Sequence, residues 1–121
     1  MATTKAVTAI ANGLTMTASA GDVTSSSVNI DTGYGGVISV KITNGATGPT
    51  VAGQCQVQTS SDDSEYYDFG GPLVGLTSNS GIASWVLEVP MGVEYIRIVT
   101  GSNTGQNTTA DVDLTNVTAV S

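Results

Sequence analysis

Short runs in which apolar and polar residues alternate recur along the chain. The clearest is Val37–Thr43, where Ile38, Val40 and Ile42 alternate with polar residues. Because successive side chains of a β-strand point to opposite faces of its sheet, this period of two predicts a strand with one buried face. The same alternation predicts strands over three further segments: Gly53–Thr59, Gly81–Val89 and Thr108–Val120. Side chains expected in the core of the domain include Cys55, Val57, Trp85 and Leu87.

The first 20 residues are predicted to form an N-terminal hairpin or arm. Val7–Ala11 and Leu14–Ala18 are strand-like, and Asn12-Gly13 between them is the strongest short signal for a two-residue hairpin turn. The segment is rich in Ala and Thr and lacks the bulky residues that would anchor it firmly in its own domain. We therefore expect that it can leave that domain and pair with the exposed edge of a neighbouring subunit.

The remaining runs complete an all-β domain. Thr24–Ile30 and Val93–Thr100 are further predicted strands, and Ser60–Pro72 is a long acidic loop with several aromatic residues. No window has the i, i+3, i+4, i+7 spacing of an amphipathic helix, so the strands lack crossover connections and pair antiparallel. We predict one domain over residues 1–121, an antiparallel β-sandwich or jelly-roll-like fold of about eight strands.

The composition excludes most catalytic chemistry. Of the 121 residues, three are basic and ten are acidic, the net charge is −7, histidine is absent and there is one cysteine. Such a chain has no Ser-His-Asp triad, no histidine metal ligand, no intrachain disulfide and no thiolate zinc site. Three cations supply too few phosphate contacts for nucleic-acid binding and too little attraction to anionic membranes. We expect a protein that is not an enzyme, needs no cofactor, and binds neither nucleic acid nor membrane.

Two groups of carboxylates have both a chemical and a structural interpretation. Asp62, Asp63 and Glu65 could ligate calcium, but they lack EF-hand spacing, so a solvated acidic loop is favoured. Glu88 and Glu94 form a carboxylate pair of the kind that glycosidases use. They flank a tight turn, however, and the chain is too small to build a substrate cleft around them.

Two segments are predicted to form an interface with another protein. In the acidic loop, Tyr66, Tyr67 and Phe69 lie close together, and clustered loop aromatics must either fold back over their own domain or meet a partner. In the N-terminal segment, the side chains expected to contribute are those of Thr8, Ile10, Leu14 and Met16.

Corner and turn motifs in residues 50–120 resemble those of a known group of viral proteins. Val57–Asp68 contains an S-D-D-x-x-Y corner, Val89–Arg97 reads V-P-x-G-V-x-Y-I-R, and Gly101–Gly105 reads G-x-N-T-G. Together these motifs resemble small β-sandwich virion proteins of tailed bacteriophages, most closely the capsid cement (decoration) proteins. The resemblance implies a non-catalytic structural protein on the outer surface of the capsid, bound across subunit junctions and stabilising the head. Its implied partners are the major capsid protein and further copies of itself, as a dimer or trimer.

Two other functions remain compatible with the sequence. The first alternative is a carbohydrate- or receptor-binding module of a phage tail or fibre, which would use Tyr66, Tyr67 and the acidic loop to hold a glycan. The second is a cell-surface adhesin domain, for which the N-terminal segment would have to act as a secretion signal; Thr8, Asn12 and Gly13 interrupt its apolar stretch and argue against this.

Overall fold

The structure, a computed structural model, describes the backbone of residues 3–30 and 34–120 and the side chains of residues 5–30 and 34–117. More than half of the chain lies in strands, and these described ranges contain no helix, hence none that could cross a membrane. The strands of the described ranges are β1 Thr3–Met16, β2 Val23–Thr24, β3 Val28–Asn29, β4 Gly36–Asn44, β5 Gln54–Ser60, β6 Tyr67–Asp68, β7 Leu73–Val74, β8 Ile82–Val89, β9 Tyr95–Gly101 and β10 Thr108–Val120.

The strands form two antiparallel sheets that pack as a sandwich. Sheet A has the order β1-β10-β4-β8, and sheet B has the order β2-β9-β5-β6, with β3 also paired to β9 and β7 also paired to β5. If β2 with β3 and β6 with β7 each count as one interrupted strand, the described chain has four strand positions in each sheet. Most connections cross from one sheet to the other, which is the arrangement of an eight-stranded jelly roll. The predicted all-β sandwich is confirmed.

The hydrophobic core fills the space between the two sheets. Its innermost side chains are 2% exposed or less and come mainly from β4, β5, β9 and β10. In β4, β5 and β10 they lie on the predicted apolar faces, so the period of two did identify the buried face there, whereas β9 was predicted to be apolar on both faces. The fully enclosed members are Ile30, Ile38, Val40, Ile42, Cys55, Val57, Ile96, Ile98, Val112 and Leu114.

The predicted N-terminal hairpin is wrong, because residues 3–16 form the single strand β1. This strand pairs with β10 over eleven residue pairs, and Met1 and Ala2 lie outside the described residues. Asn12-Gly13 marks an irregularity rather than a turn: the register shifts on both sides of Ala11, and Gly13 has a φ of +63°. The Gly13 N–H donates to Asp111 Oδ1 at 2.8 Å. A bulge and a tight hairpin turn both use a glycine with positive φ. Here the hydrogen bond to Asp111, which is distant in the sequence, stabilises the bulge.

Two other expectations need correction. Trp85 and Leu87 face the core as predicted, but they are half-buried and pack at its periphery. The reason is that β8 is an edge strand of sheet A. The predicted strand Thr24–Ile30 is interrupted between β2 and β3, where the hydroxyl of Ser25 accepts the Ile98 N–H at 2.9 Å in place of a ladder bond.

Candidate interaction surfaces

The acidic loop after β5 is closed by hydrogen bonds among its own residues. Asp62 Oδ1 accepts the backbone N–H groups of Ser64 at 2.9 Å and Glu65 at 3.0 Å, and it also accepts the Ser60 hydroxyl at 3.0 Å. Because these donors favour the ionised carboxylate, they hold the pKa of Asp62 below its ordinary value. The Asp62 side chain therefore shapes the turn.

Tyr66 is fixed between an acid and the one arginine of the chain. Its hydroxyl donates to Asp63 Oδ1, and its ring lies under Arg97, whose guanidinium carbon is 3.8 Å from the ring centroid. Arg97 Nε also donates to Gln58 Oε1 at 2.8 Å. The hydrogen bond from Tyr66 lowers the pKa of Asp63, while partial burial, followed by the bond to Asp63, raises the pKa of Tyr66. This cation–π cluster ties the loop to the outer face of sheet B.

The three loop aromatics have three different environments. Tyr66 is in the cluster just described, and Phe69 packs against the hydrophobic core. Tyr67 is 67% exposed, with its hydroxyl donating to Glu65 Oε2 at 3.1 Å. Of the predicted loop interface, Tyr67 is therefore the ring that is presented to a partner, and its contact with one stays a prediction.

No group of three or more Asp, Glu, His or Cys side chains in the described ranges is placed to hold a metal ion. In the acidic loop, Asp62 and Asp63 are instead occupied by hydrogen-bond donors of the loop itself. Cys55 is fully buried, and burial raises the pKa of its thiol to about 11. A thiol in that environment stays protonated at neutral pH, which is the state of a core residue and not of a nucleophile.

The N-terminal candidates turn their side chains toward their own sandwich. Met16 is buried, Ile10 and Leu14 pack against the core, and Thr8 is half-buried where it pairs with Leu114. The other edge of β1 pairs with no strand in the described chain. A neighbouring subunit would therefore meet the backbone edge of β1 and the side chains that point out of the sandwich.

An apolar cleft opens on the side of the sandwich between β1 and β2. Ile10 and Leu14 from β1 face Val23 from β2 across a space of about 310 Å³, with Ile98 at its floor. The cleft shows that the two sheets are not closed over each other at this side. It also places the exposed side of two predicted residues, Ile10 and Leu14, next to the open β1 edge.

An apolar patch on the outer face of sheet A was not predicted. Val7, Val86 and Met91 are each at least 70% exposed, and Tyr34 and Val37 lie nearby with smaller exposed fractions. All but Val7 line a shallow depression of about 570 Å³, which Lys5 and Glu88 also border. The sequence signal is a valine at an outward position of an alternating strand, where a polar residue is usual. Val7, Val37 and Val86 lie on the same face only because of the order of the strands in sheet A, and the sequence alone does not predict that order.

Comparison with known proteins supports the fold. No protein-family model matches the sequence, and no curated protein is significantly similar to it. Among solved structures, the SPBc2 prophage-derived protein YomS is similar over 96% of both chains, with a TM-score of 0.57 and 10% identity. VP2 of the infectious bursal disease virus subviral particle is similar over 93% of this chain and 32% of its own, with a TM-score of 0.58 and 14% identity. The K3 adhesin domain of Lys-gingipain from Porphyromonas gingivalis is similar over 94% of this chain and 72% of its own, with a TM-score of 0.52 and 11% identity.

At these identities the similarities establish a shared β-sandwich architecture. The chain spans nearly the whole of the prophage-derived protein and about a third of the length of VP2. Its architecture is therefore one that viral and phage-encoded proteins use.

Proposed function

We propose that this chain is a non-catalytic structural protein of a bacteriophage virion, a decoration protein that binds the outer surface of the capsid across subunit junctions and stabilises the head. The observation that carries the proposal is the open edge of β1, fourteen residues long, at one side of the jelly roll. An unpaired edge of this length is a template for strand pairing with another chain.

The composition of β1 supports a role in strand pairing. Natural edge strands are usually short or interrupted by charges and prolines. Lys5 is the one charged residue of β1, and the strand contains no proline. The main feature of β1 that disfavours pairing with another chain is the bulge at Asn12-Gly13. Thr3–Ala9 still forms a regular edge, apart from a register shift after Thr4.

The charge of the chain supports a location away from packaged DNA. A net charge of −7 with three cations disfavours contact with a phosphate backbone. It is compatible with an outer surface, where contacts with the major capsid protein would be made by backbone hydrogen bonds and by apolar side chains such as Tyr67.

Binding of this protein would stabilise the capsid shell by thermodynamic linkage between binding and assembly. A protein that binds the assembled shell and not its free subunits shifts the equilibrium toward the shell, and many equivalent sites multiply the effect. Such a function is stoichiometric and requires no turnover. The sequence motifs that resemble decoration proteins and the shared architecture with phage and capsid proteins support the same role.

The test is rebinding to particles of the virus that encodes this chain, after the protein has been stripped from them. We expect purified protein to bind tailless heads to saturation and to raise the temperature at which they release DNA. Val74→Ser should rebind like the parent, because Val74 is exposed on β7 of sheet B, away from the β1 edge. Binding to isolated tails or to glycans, with none to heads, would contradict the proposal and support the carbohydrate- or receptor-binding alternative.

A further inference from the structure

We infer that copies of this chain join edge to edge, with β1 of one copy pairing antiparallel with β8 of the next, so that sheet A continues across the contact. The inference rests on the proposed function in one respect, the claim that the β1 edge pairs with another chain, and it names that chain as a second copy. Its test uses purified protein without capsids, so it can fail while binding to heads succeeds, and the reverse can also occur.

Sheet A ends in an open edge on each side. Its order is β1-β10-β4-β8 and every neighbouring pair is antiparallel, so β1 and β8 run in opposite directions. In the part of the chain that the structure describes, neither strand has a second partner. When β1 of one copy lies beside β8 of the next, the alternation of strand direction therefore continues across the contact. The exposed row of backbone donors and acceptors at each edge can form the hydrogen bonds of such a pair.

The backbone of β1 turns alternate residues toward its open edge. Val117 of β10 donates its N–H to the Gly35 carbonyl at 2.9 Å, which is on the side of β4. Val117 is level with Lys5, so the backbone groups of Lys5 do not point toward β10. Because successive residues of a strand direct these groups to opposite sides, Lys5, Val7 and Ala9 present them at the open edge.

The backbone of β8 does the same at the other edge of the sheet. Asn44 of β4 donates its N–H to the Gly81 carbonyl at 2.8 Å, immediately before β8 begins. By the same alternation, Ser84, Val86 and Glu88 direct their backbone groups away from β4. The side chains of these three residues are exposed on the outer face of sheet A.

One antiparallel register matches the outward side chains of the two edges. Its three pairs with facing backbone groups are Lys5 with Glu88, Val7 with Val86, and Ala9 with Ser84. Lys5 is the one charged residue of β1 and Glu88 the one charged residue of β8, so the two charges meet. Val7 and Val86, which are 70% and 71% exposed, cover each other. Opposite charges and β-branched side chains directly across two strands stabilise their pairing.

Other registers and other edges match these side chains less well. A shift by two residues in either direction places both charges opposite uncharged residues. Pairing β1 with β1 about Val7 leaves each Lys5 opposite Ala9, and pairing β8 with β8 about its exposed valine leaves each Glu88 opposite a serine. The contact is therefore between unlike edges. Because a pair joined in this way keeps one free edge of each kind, association continues beyond a dimer.

The sides of the sandwich that meet in this arrangement are both apolar. On the β1 side, Ile10 and Leu14 face Val23 across the open cleft. On the β8 side, Trp85 and Leu87 are half-buried at the periphery of the core. Edge pairing places these two sides next to each other, so apolar surface that one copy leaves exposed is covered by the next.

Disulfide trapping tests the contact and its register. Residues opposite each other in a hydrogen-bonded pair have Cα atoms about 5.5 Å apart, a separation that a disulfide spans. We expect a mixture of Val7→Cys and Val86→Cys to form a disulfide between the two variants at least about tenfold faster than either variant alone under the same mild oxidation. The native Cys55 does not compete, because it is fully buried and the pKa of its thiol is raised to about 11.

Ile82→Cys is the matched control for Val86→Cys. Ile82 is also an exposed outward residue of β8, but it lies about 13 Å further along the strand. A mixture of Val7→Cys and Ile82→Cys should therefore cross-link no faster than either of these variants alone. Fast cross-linking of Val7→Cys or Val86→Cys alone would indicate pairing of like edges, and equal rates with Ile82→Cys would show that the register is not the one inferred. Either result would contradict the inference.

Sedimentation velocity tests self-association of the chain without added cysteines. We expect the parent to form species larger than a dimer between about 1 µM and about 1 mM. The measurement is made at about 0.15 M salt, where repulsion between copies of charge −7 is screened beyond about 8 Å. A parent that stays monomeric throughout would overturn the inference, whether or not the protein binds to heads.

Charge reversal separates the specific contact from a general effect of net charge. Lys5→Glu and Glu88→Lys should each weaken association by at least about tenfold, and the double variant should recover it. Glu94→Lys is the matched control, since it changes the net charge as Glu88→Lys does, at an exposed residue outside both strands. This control should associate at least as strongly as the parent. Strengthening by Glu88→Lys, or no recovery in the double variant, would contradict the inference.

Discussion

Arg97 covers the ring of Tyr66, with its guanidinium carbon 3.8 Å from the ring centroid, while its Nε donates to Gln58 on the neighbouring strand. Tyr66 in turn donates its hydroxyl to Asp63. The contact therefore joins the acidic loop to two central strands of sheet B. It also removes one of the three cations and one of the loop aromatics from the surface offered to a partner.

Replacing Arg97 should loosen the loop without unfolding the sandwich. A partly exposed cation–π contact and one side-chain hydrogen bond together contribute about 1–2 kcal/mol, so we expect Arg97→Ala to lower the free energy of unfolding by that amount. Arg97→Lys should recover little of it, because lysine keeps the charge and loses the planar stacking. Urea denaturation measures the loss, and an unchanged midpoint for Arg97→Ala would contradict the assignment.

The acidic loop should open as the pH falls through the titration of Asp62. The backbone N–H groups of Ser64 and Glu65 lower the pKa of this carboxylate from its ordinary value of 3.8. A lowered pKa in the folded state means that the contribution to stability is present above pH 3.8 and is lost as the pH falls through the lower folded value. The protection factors of the Ser64 and Glu65 amides, which correct the exchange rate for its intrinsic pH dependence, should therefore fall below about pH 4. Asp62→Ala, which removes the acceptor, should lower them already at neutral pH. Protection of the two amides that is independent of pH and of this substitution would refute the role of Asp62.

Removal of β1 should unfold the protein. Deleting residues 1–18 takes away the buried Met16 and leaves β10, which carries the core residues Val112 and Leu114, as a bare edge. We expect loss of the cooperative thermal transition in circular dichroism. Val7→Ser is the control, since Val7 points outward and its loss should leave the transition within a few degrees of the parent. A deletion variant that still melts cooperatively would show that β1 is an arm independent of the core.

Core substitutions should rank by burial and not by side-chain size. Leu114 is fully enclosed on a central strand, so Leu114→Ala should cost about 2–5 kcal/mol of unfolding free energy. Trp85 is half-buried on the edge strand β8, and we expect Trp85→Ala to cost less than Leu114→Ala. Chemical denaturation of the two variants measures the order, and the reverse order would mean that Trp85 is the anchor of the core.

The parts of the fold that follow from local pattern were predictable. In β10, Ala110, Val112 and Leu114 alternate with polar residues, and a strand with one buried face is the structure that satisfies this pattern. Asn12-Gly13 was not predictable in the same way. Its positive φ suits a turn and a bulge equally, and the choice depends on Asp111, 98 residues away in the chain.

The candidate surfaces, too, were predictable only where they follow from local sequence. The acidic loop and its aromatics were located from the sequence, but the covered position of Tyr66 depends on Arg97, which comes from another strand. The apolar patch depends on Val7 and Val86, which are brought to one face of sheet A by two intervening strands. Strand order is set by the packing of the whole domain, so neither relationship has a local signal.

The central claim is that this chain is a decoration protein of a virion head, and the number of copies per particle tests it most directly. Quantitative mass spectrometry of purified virions, with the major capsid protein as internal reference, gives that number. Because a decoration protein occupies every equivalent site on the shell, we predict copies in a fixed ratio to the major capsid protein, on the order of hundreds per particle. A few copies per particle, retained with isolated tails, would contradict the account.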